Sequence, residues 1–182
     1  CHRRGRVPDG LETESYTDDY VRAWDMDYII REMREDEYPL LKEFLYEAVY
    51  VAKGAEPPDR SITDSPELQV YIRDFGSSRH DSALVAEMNG DIIGAVWVRI
   101  MNDYGHIDDE TPSLAISVLR PFRKSGIGTA LLKAMIERKK ADGYSGLSLS
   151  VQKENYAEDM NQKAGFHVAL ENGDEYIMTI RL

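Results

Sequence analysis

A single cysteine, Cys1, stands in the 182 residues, so no internal disulfide can form and the chain suits a reducing, cytoplasmic setting. Long hydrophobic runs are also missing. The longest, Ile92 to Val98, is interrupted by Gly94, far short of the ~20 residues a membrane span requires. The basic residues near the N-terminus have no apolar segment behind them, so no secretory signal is expected. Cations are few: 22 Lys and Arg stand against 33 Asp and Glu, for a formal net charge of −11. A surface that negative repels nucleic acid and anionic lipid and favours cationic partners. A Walker loop needs Gly-x-x-x-x-Gly-Lys-[Ser/Thr], and no stretch supplies it. His106 has no second His or Cys at ligand spacing, so no metal site is expected.

What the chain does have is Ser113-Leu-Ala-Ile-Ser-Val-Leu-Arg-Pro-Phe-Arg-Lys-Ser-Gly-Ile-Gly-Thr-Ala-Leu-Leu132. It reads as an apolar strand over Ser113 to Leu119, a short basic turn, and a helix opening at Gly126. Ile127, Leu131, Met135 and Ile136 recur at helical spacing and make one apolar stripe. Lys139 and Lys140 suit the negative end of the helix dipole, and Gly143 stops it. At the junction, two glycines and two cations stand where the first helical N–H groups lack carbonyl partners. Unpaired donors, the positive dipole end and nearby cations together make an anion site, most naturally for phosphate. Glycine lets a phosphate approach the backbone without a Cβ in the way.

A dinucleotide fingerprint needs a third glycine where this chain has Leu131. What survives is Arg-x-x-Gly-x-Gly after a strand, over Arg123 to Gly128. The same six residues also fit an ordinary strand–turn–helix with a glycine N-terminus. They resemble the pyrophosphate-binding motif of the GNAT superfamily of N-acetyltransferases, and the rest of the chain decides between the two.

Residues 1–25 are polar, charged and without a period, and read as a disordered or extension leader ahead of Met26. Residues 26–182 read as one domain. Tyr28 to Met33 is a strand, and Glu35 to about Ala52 a helix with Leu40, Leu41, Phe44, Leu45 and Val49 on one side. Lys53 to Pro66 is a loop, and a second helix runs from Pro66 to Phe75, with Gly76 ending it. Ala83 to Met88 and Asp91 to Met101 form a hairpin about Asn89-Gly90. Gly94 marks a bulge or a close backbone approach. After the glycine turn and its helix come a strand over Ser145 to Val151, a helix over Asn155 to Ala164, and strands over Phe166 to Leu170 and Glu175 to Arg181. The fold class is α/β: a mixed, largely antiparallel sheet with a parallel crossover at the glycine turn, flanked by about four helices.

That order is similar to the GNAT fold. A second stretch, Leu149-Ser-Val-Gln-Lys-Glu-Asn-Tyr-Ala-Glu-Asp-Met-Asn-Gln-Lys-Ala-Gly-Phe166, resembles the family's strand, Glu-Asn-x-Ala, helix and Gly-Phe signature. Two signatures in order identify residues 28–182 as resembling a GNAT acetyltransferase. The resemblance implies acetyl-CoA in a gap between two splayed central strands. Backbone groups of Ile116, Ser117 and Val118 would pair with the pantetheine arm and polarise the thioester, since a fixed N–H aimed at a developing oxyanion stabilises acyl transfer. Arg123, Lys124, Ser125, Gly126, Ile127, Gly128 and Thr129 would hold the pyrophosphate. Asn155 matches the family asparagine on the cofactor arm, and reads equally as a helix N-cap. A homodimer through the C-terminal strands is common in such folds.

The chain departs from the family in two places. Lys124 stands at the second turn position, where many members have glycine. Asn161 stands where the family usually carries the tyrosine taken to protonate the leaving thiolate. A thiol of pKa about 8.5 makes an unassisted thiolate cost only roughly 2 kcal/mol at neutrality. Deprotonating a lysine-like amine costs about 4.6 kcal/mol, so the base matters more than the acid. The expectation is a slower enzyme, with Tyr156 a substitute acid or simply a surface ring. Glu110 is the first candidate base, then Asp109 or His106, in the loop ahead of the central strand. Each also reads as a solvated loop group. With Asp103 and Asp108 the cluster would attract an ammonium. Trp97, Tyr104 and Phe75 fit an acceptor pocket or sheet packing equally well. Cys1 is misplaced and no serine stands in a nucleophile elbow, so direct transfer is expected. The acceptor would be a small-molecule or peptide amine. A coenzyme-A-binding sensor and an enzyme for longer acyl groups are the rival readings.

Overall fold

The computed structural model describes residues 27–101 and 106–182; the leader, Asp103 and Tyr104 lie outside them. In chain order the elements are β1 (Ile29–Glu32), α1 (Leu41–Ala48), α2 (Pro66–Gln69), β2 (Ser82–Met88), β3 (Asp91–Arg99), β4 (Ser113–Val118), α3 (Ile127–Ala141), β5 (Gly146–Gln152), α4 (Ala157–Ala164), β6 (His167–Asn172) and β7 (Glu175–Arg181). Short 3-10 turns cover Glu35–Leu40, Arg60–Asp64 and Arg120–Phe122. The strands make one sheet in the order β1-β2-β3-β4-β5-β7-β6. Every neighbouring pair is antiparallel except β4 and β5.

The β2–β3 hairpin turns where the sequence places it. Asn89 and Gly90 both take left-handed backbone, φ 52° and 86°, the combination that matches the twist of the flanking strands. A register shift opposite Ala86/Glu87 leaves Ile93 as the extra residue of a bulge, and its carbonyl accepts from the Leu119 N–H at 2.9 Å. Gly94 follows it. A Cβ there would meet Leu131 at 3.0 Å and Val118 at 3.3 Å, so glycine lets α3 press close on the sheet. From Ile92 onward every residue of β3 is buried, with helices on both faces of the sheet. Trp97, Leu131, Leu132 and Met135 are among the fully buried side chains.

The first two helices are shorter than the sequence pattern implies. Glu35–Leu40 is a 3-10 turn with Pro39 inside it, because proline lacks an N–H and disfavours α geometry at Tyr38 before it. True α-helix begins at Leu41 and stops at Ala48, with Val49 extended. The second helix keeps only Pro66–Gln69. Downstream carbonyls are taken by β3 instead: Trp97 Nε1 donates to Tyr71 at 3.1 Å, and Arg99 Nη1 donates to Arg73 at 2.7 Å. Long-range hydrogen bonds override local propensity there. Trp97 and Phe75 are thereby packing residues: Trp97 is buried, and Phe75 meets Tyr38 edge-on with centroids 4.9 Å apart.

Strands β4 and β5 run parallel yet register at one pair only, Ser113 with Ser148. Both are well paired on their outer sides, β4 to β3 and β5 to β7. Past Ser113 they diverge.

Candidate active site

A cleft of about 930 Å³ opens where β4 and β5 part. Ile116, Ser117 and Val118 line it from β4. One wall is the end of α1 and the chain just after it, from Tyr46 to Val51, and another is the start of α4 and the residues just before it, with Asn155, Tyr156, Ala157 and Met160. Ser117 Oγ donates to the Phe44 carbonyl at 2.6 Å and so seats α1 on β4. The far end is the turn into α3, contributing Arg120, Arg123, Lys124, Gly126, Gly128 and Thr129.

That turn is built around two left-handed residues, Lys124 at φ 58° and Gly126 at φ 90°. A Cβ on Gly126 would meet nothing within 4 Å, so the backbone lies open. The α3 ladder starts with the Ala130 N–H on the Gly126 carbonyl, 3.0 Å. The amides of Ile127, Gly128 and Thr129 precede that rung, as the first N–H groups of a helix do. Three cations in its last turn, Arg138, Lys139 and Lys140, complement the other end. Gly128 lies close under α4: a Cβ there would come 3.3 Å from Met160 Sδ, a contact the methionine must yield to by a few tenths of an ångström.

Arg123 does not project freely into the cleft. Its Nε donates to the Val118 carbonyl at 2.8 Å, and Nη2 donates to the Glu47 carbonyl and carboxylate at 3.0 and 3.1 Å. Arg120 is a looser partner of the same carboxylate, 3.9 Å away. Lys124 has no carboxylate partner among the ion pairs of the described residues. Its Nζ stands 5.6 Å from the centre of the Tyr156 ring. Asn155 lines the cleft, and its Oδ1 accepts from the Ala157 N–H at 3.0 Å; the N-cap position of α4 itself is Tyr156, one residue later than expected.

The profile of the acetyltransferase (GNAT) family matches residues 28–166. The chain belongs to the GNAT family. It is 30% identical over 129 residues to an N-alpha-acetyltransferase of Sulfolobus acidocaldarius, spanning 62% of this chain and 73% of that one. Its fold is similar to a GNAT-family acetyltransferase from Streptococcus pneumoniae, with TM-score 0.61, 23% identity, and coverage of 86% of this chain and 100% of that one. It is also similar to the PaiA N-acetyltransferase from Thermoplasma acidophilum in complex with coenzyme A, with TM-score 0.63, 20% identity and the same coverages. As a GNAT member the chain is an acyltransferase, and coenzyme A is the cosubstrate that the family implies. The cleft fits such a ligand: β4 offers backbone beside a gap, and the α3 turn offers the amides ahead of the first helical rung around an open glycine.

Other expected site residues of this GNAT domain fall elsewhere. Ile127 is fully buried, and Ser125 Oγ is turned onto the Phe122 carbonyl, so of these two only the main chain is available to a ligand. Asn161 is buried on α4 beside Met160, and its Oδ1 has no hydrogen-bond partner among the described residues. The expected bases do not line the cleft. His106 Nδ1 lies 2.8 Å from the Met101 carbonyl, and its Nε2 is 3.8 Å from Asp109, whose side chain is 94% exposed. Asp108 Oδ1 accepts from the Glu110 N–H at 2.8 Å. That bond and the Thr111 hydroxyl hold the Asp108 carboxyl below its ordinary pKa, so it stays ionised. Glu110 is exposed. Sequence reading missed Glu47 and Tyr46, which reach the cleft from α1 with no motif of their own, and Met160, which lies inside the second signature without being one of its marked positions.

Among the described residues no helix is long and apolar enough to cross a membrane, and no cluster of three or more His, Cys, Asp or Glu could hold a metal ion.

Proposed function

We propose that this chain transfers the acetyl group of acetyl-CoA directly to a primary amine of a peptide or small molecule. The observation that carries the reading is the cleft itself. A parallel strand pair that registers at one position leaves β4 backbone facing a gap, and the gap ends at a left-handed glycine turn whose amides precede the first rung of α3. Acetyl-CoA supplies the acetyl group as an activated thioester. Ile116, Ser117 and Val118 align the arm, and the amides from Lys124 to Thr129 hold the pyrophosphate. Asn155 holds the start of the cleft wall through its bond to the Ala157 N–H and offers its carboxamide N–H to the arm.

A peptide N-terminal amine is the acceptor the chemistry favours. An α-amino group has pKa about 7.7–8.0, so freeing its lone pair at neutral pH costs only about 1 kcal/mol, against about 4.6 for a lysine. An exposed carboxylate suffices for the smaller task. We assign proton removal to Glu110, then Asp109 or His106, which stand in the loop ahead of β4 outside the cleft lining and so act through water. His106 Nδ1 faces a carbonyl, which leaves Nε2 as the acceptor when the ring is neutral. The similarity to an N-alpha-acetyltransferase agrees with this choice. Asn161 stands at the sequence position of the family's tyrosine, but it is buried on α4 and does not line the cleft, so no donor to the leaving sulfur is assigned to it.

Asn161 also sustains a second reading, a coenzyme-A-binding sensor without turnover. Thiol release from acetyl-CoA across a panel of peptides, lysine derivatives and small amines, beside a calorimetric binding curve, separates them. Turnover with N-terminal amines supports the proposal; tight binding without turnover on any amine favours the sensor. Thioesters of increasing chain length test whether a longer acyl group is preferred.

A further inference from the structure

Tyr156 is 58% exposed although it lines the cleft. The charged group over its ring among the described residues is the Lys124 ammonium, 5.6 Å from the ring centre. A cation–π contact between two exposed side chains adds little to folding. Lys124 in turn sits in left-handed backbone, φ 58°, which a glycine would adopt without strain. Two exposed groups, a flat ring and a point charge, therefore face each other across the mouth of the cleft, beside the turn into α3.

From these positions we infer that Lys124 and Tyr156 form the subsite for the 3′-phosphoadenosine end of coenzyme A. The inference rests on the reading that the cleft holds coenzyme A with its pyrophosphate at the α3 turn. Beyond its pyrophosphate, that ligand carries a ribose bearing a dianionic phosphate and then a planar purine. The exposed phenol ring offers a face for the purine to stack on. The lysine offers a compact charge that a phosphate can bind. Arg120 and Arg123 cannot serve equally, because both guanidinium groups are drawn to Glu47. Lys124 is the cation of this turn that no carboxylate holds among the described residues. The pair thus sets selectivity for the nucleotide end of the donor and leaves the thioester end to β4.

Calorimetry on the full chain with coenzyme A, dephospho-coenzyme A and 4′-phosphopantetheine tests it. The unaltered protein is expected to bind coenzyme A at least five-fold tighter than dephospho-coenzyme A, and 4′-phosphopantetheine most weakly. Lys124→Gln erases the first preference and keeps dephospho-coenzyme A within two-fold. Tyr156→Ala weakens both nucleotide ligands by five-fold or more and keeps 4′-phosphopantetheine within two-fold; Tyr156→Phe retains the unaltered pattern. Both positions are at the surface, and an unchanged melting temperature checks that the variants fold. Equal weakening of all three ligands, or no effect on any, overturns the subsite. If the unaltered protein binds none of the three, the coenzyme A reading fails and takes the subsite with it; binding of all three with flat variants sinks the subsite alone.

Discussion

The guanidinium of Arg123 ties its turn to two elements through three acceptors: the Val118 carbonyl at the end of β4, and the carbonyl and carboxylate of Glu47 near the end of α1. The Glu47 carbonyl is one of the last in its helix, where acceptors go unpaired without such a donor. Arg123 therefore fixes the gap between the cleft wall and the phosphate turn, whatever charge it adds. Lysine keeps the charge but cannot make the same three bonds. Arg123→Lys should raise KM for acetyl-CoA about ten-fold, near 1.4 kcal/mol, with kcat within two-fold. Steady-state kinetics check it; an unchanged KM would mean that charge alone matters at this position.

The two glycines of the turn should fail differently. Gly126 has room for a side chain but lies at φ 90°, so Gly126→Ala costs about 1–2 kcal/mol of backbone strain. Gly126→Asp adds a carboxylate at the mouth of the anion site, and coenzyme A affinity should fall by a further factor of ten or more. Gly128→Ala instead presses on Met160 and should disturb the packing of α4. Binding curves and urea melts on the three variants separate strain, charge and packing.

Glu37 sets an acid limit on stability. Its carboxylate accepts from Arg31 at 2.8 and 2.9 Å and from the Arg34 N–H at 2.9 Å, while nearly fully buried. Burial alone would raise its pKa. The Arg31 hydrogen bond, the Arg34 amide and both guanidinium charges outweigh that, and the net direction is down. A carboxyl with a lower pKa in the folded state stabilises the fold above its unfolded pKa, and that contribution is lost as pH falls through the folded value. Glu37→Gln should cost about 3–5 kcal/mol near neutral pH, because Arg31 loses its buried partner. The variant should also lose less stability on acidification than the parent does. Denaturant titrations across the acid range measure both; parallel pH slopes would refute the assignment.

Asn161→Tyr puts a larger ring into a buried position, costing about 1–3 kcal/mol by overpacking. If this side chain serves the departing sulfur, kcat should rise several-fold with little change in KM. A variant that is less stable and no faster would show that the position only packs.

Local chemistry was the legible part of this molecule. Asn89-Gly90 and the Gly126 turn demand left-handed backbone within a few residues, and Asn155 bonds to the first amide of the helix that follows it, so each is visible in its own neighbourhood. The helix expected over Pro66 to Phe75 was not, because Trp97 and Arg99 claim its carbonyls from more than twenty-five residues away. Pro39 was the overlooked local signal in the first helix. The same division runs through the site. The phosphate turn could be read from six adjacent residues, whereas Glu47 reaches Arg123 across seventy-six positions, with nothing in its own surroundings to mark it.

The lone Ser113–Ser148 register has a mechanical consequence. The sheet is two blocks, β1 to β4 and β5 to β7, stitched along their shared border at one place. A donor molecule lodged in the opening would act as a strut, supplying contacts that a neighbouring strand would otherwise make. Amides flanking the border should then exchange hydrogen for deuterium far more slowly once it is seated, while those of the outer strands keep their pace.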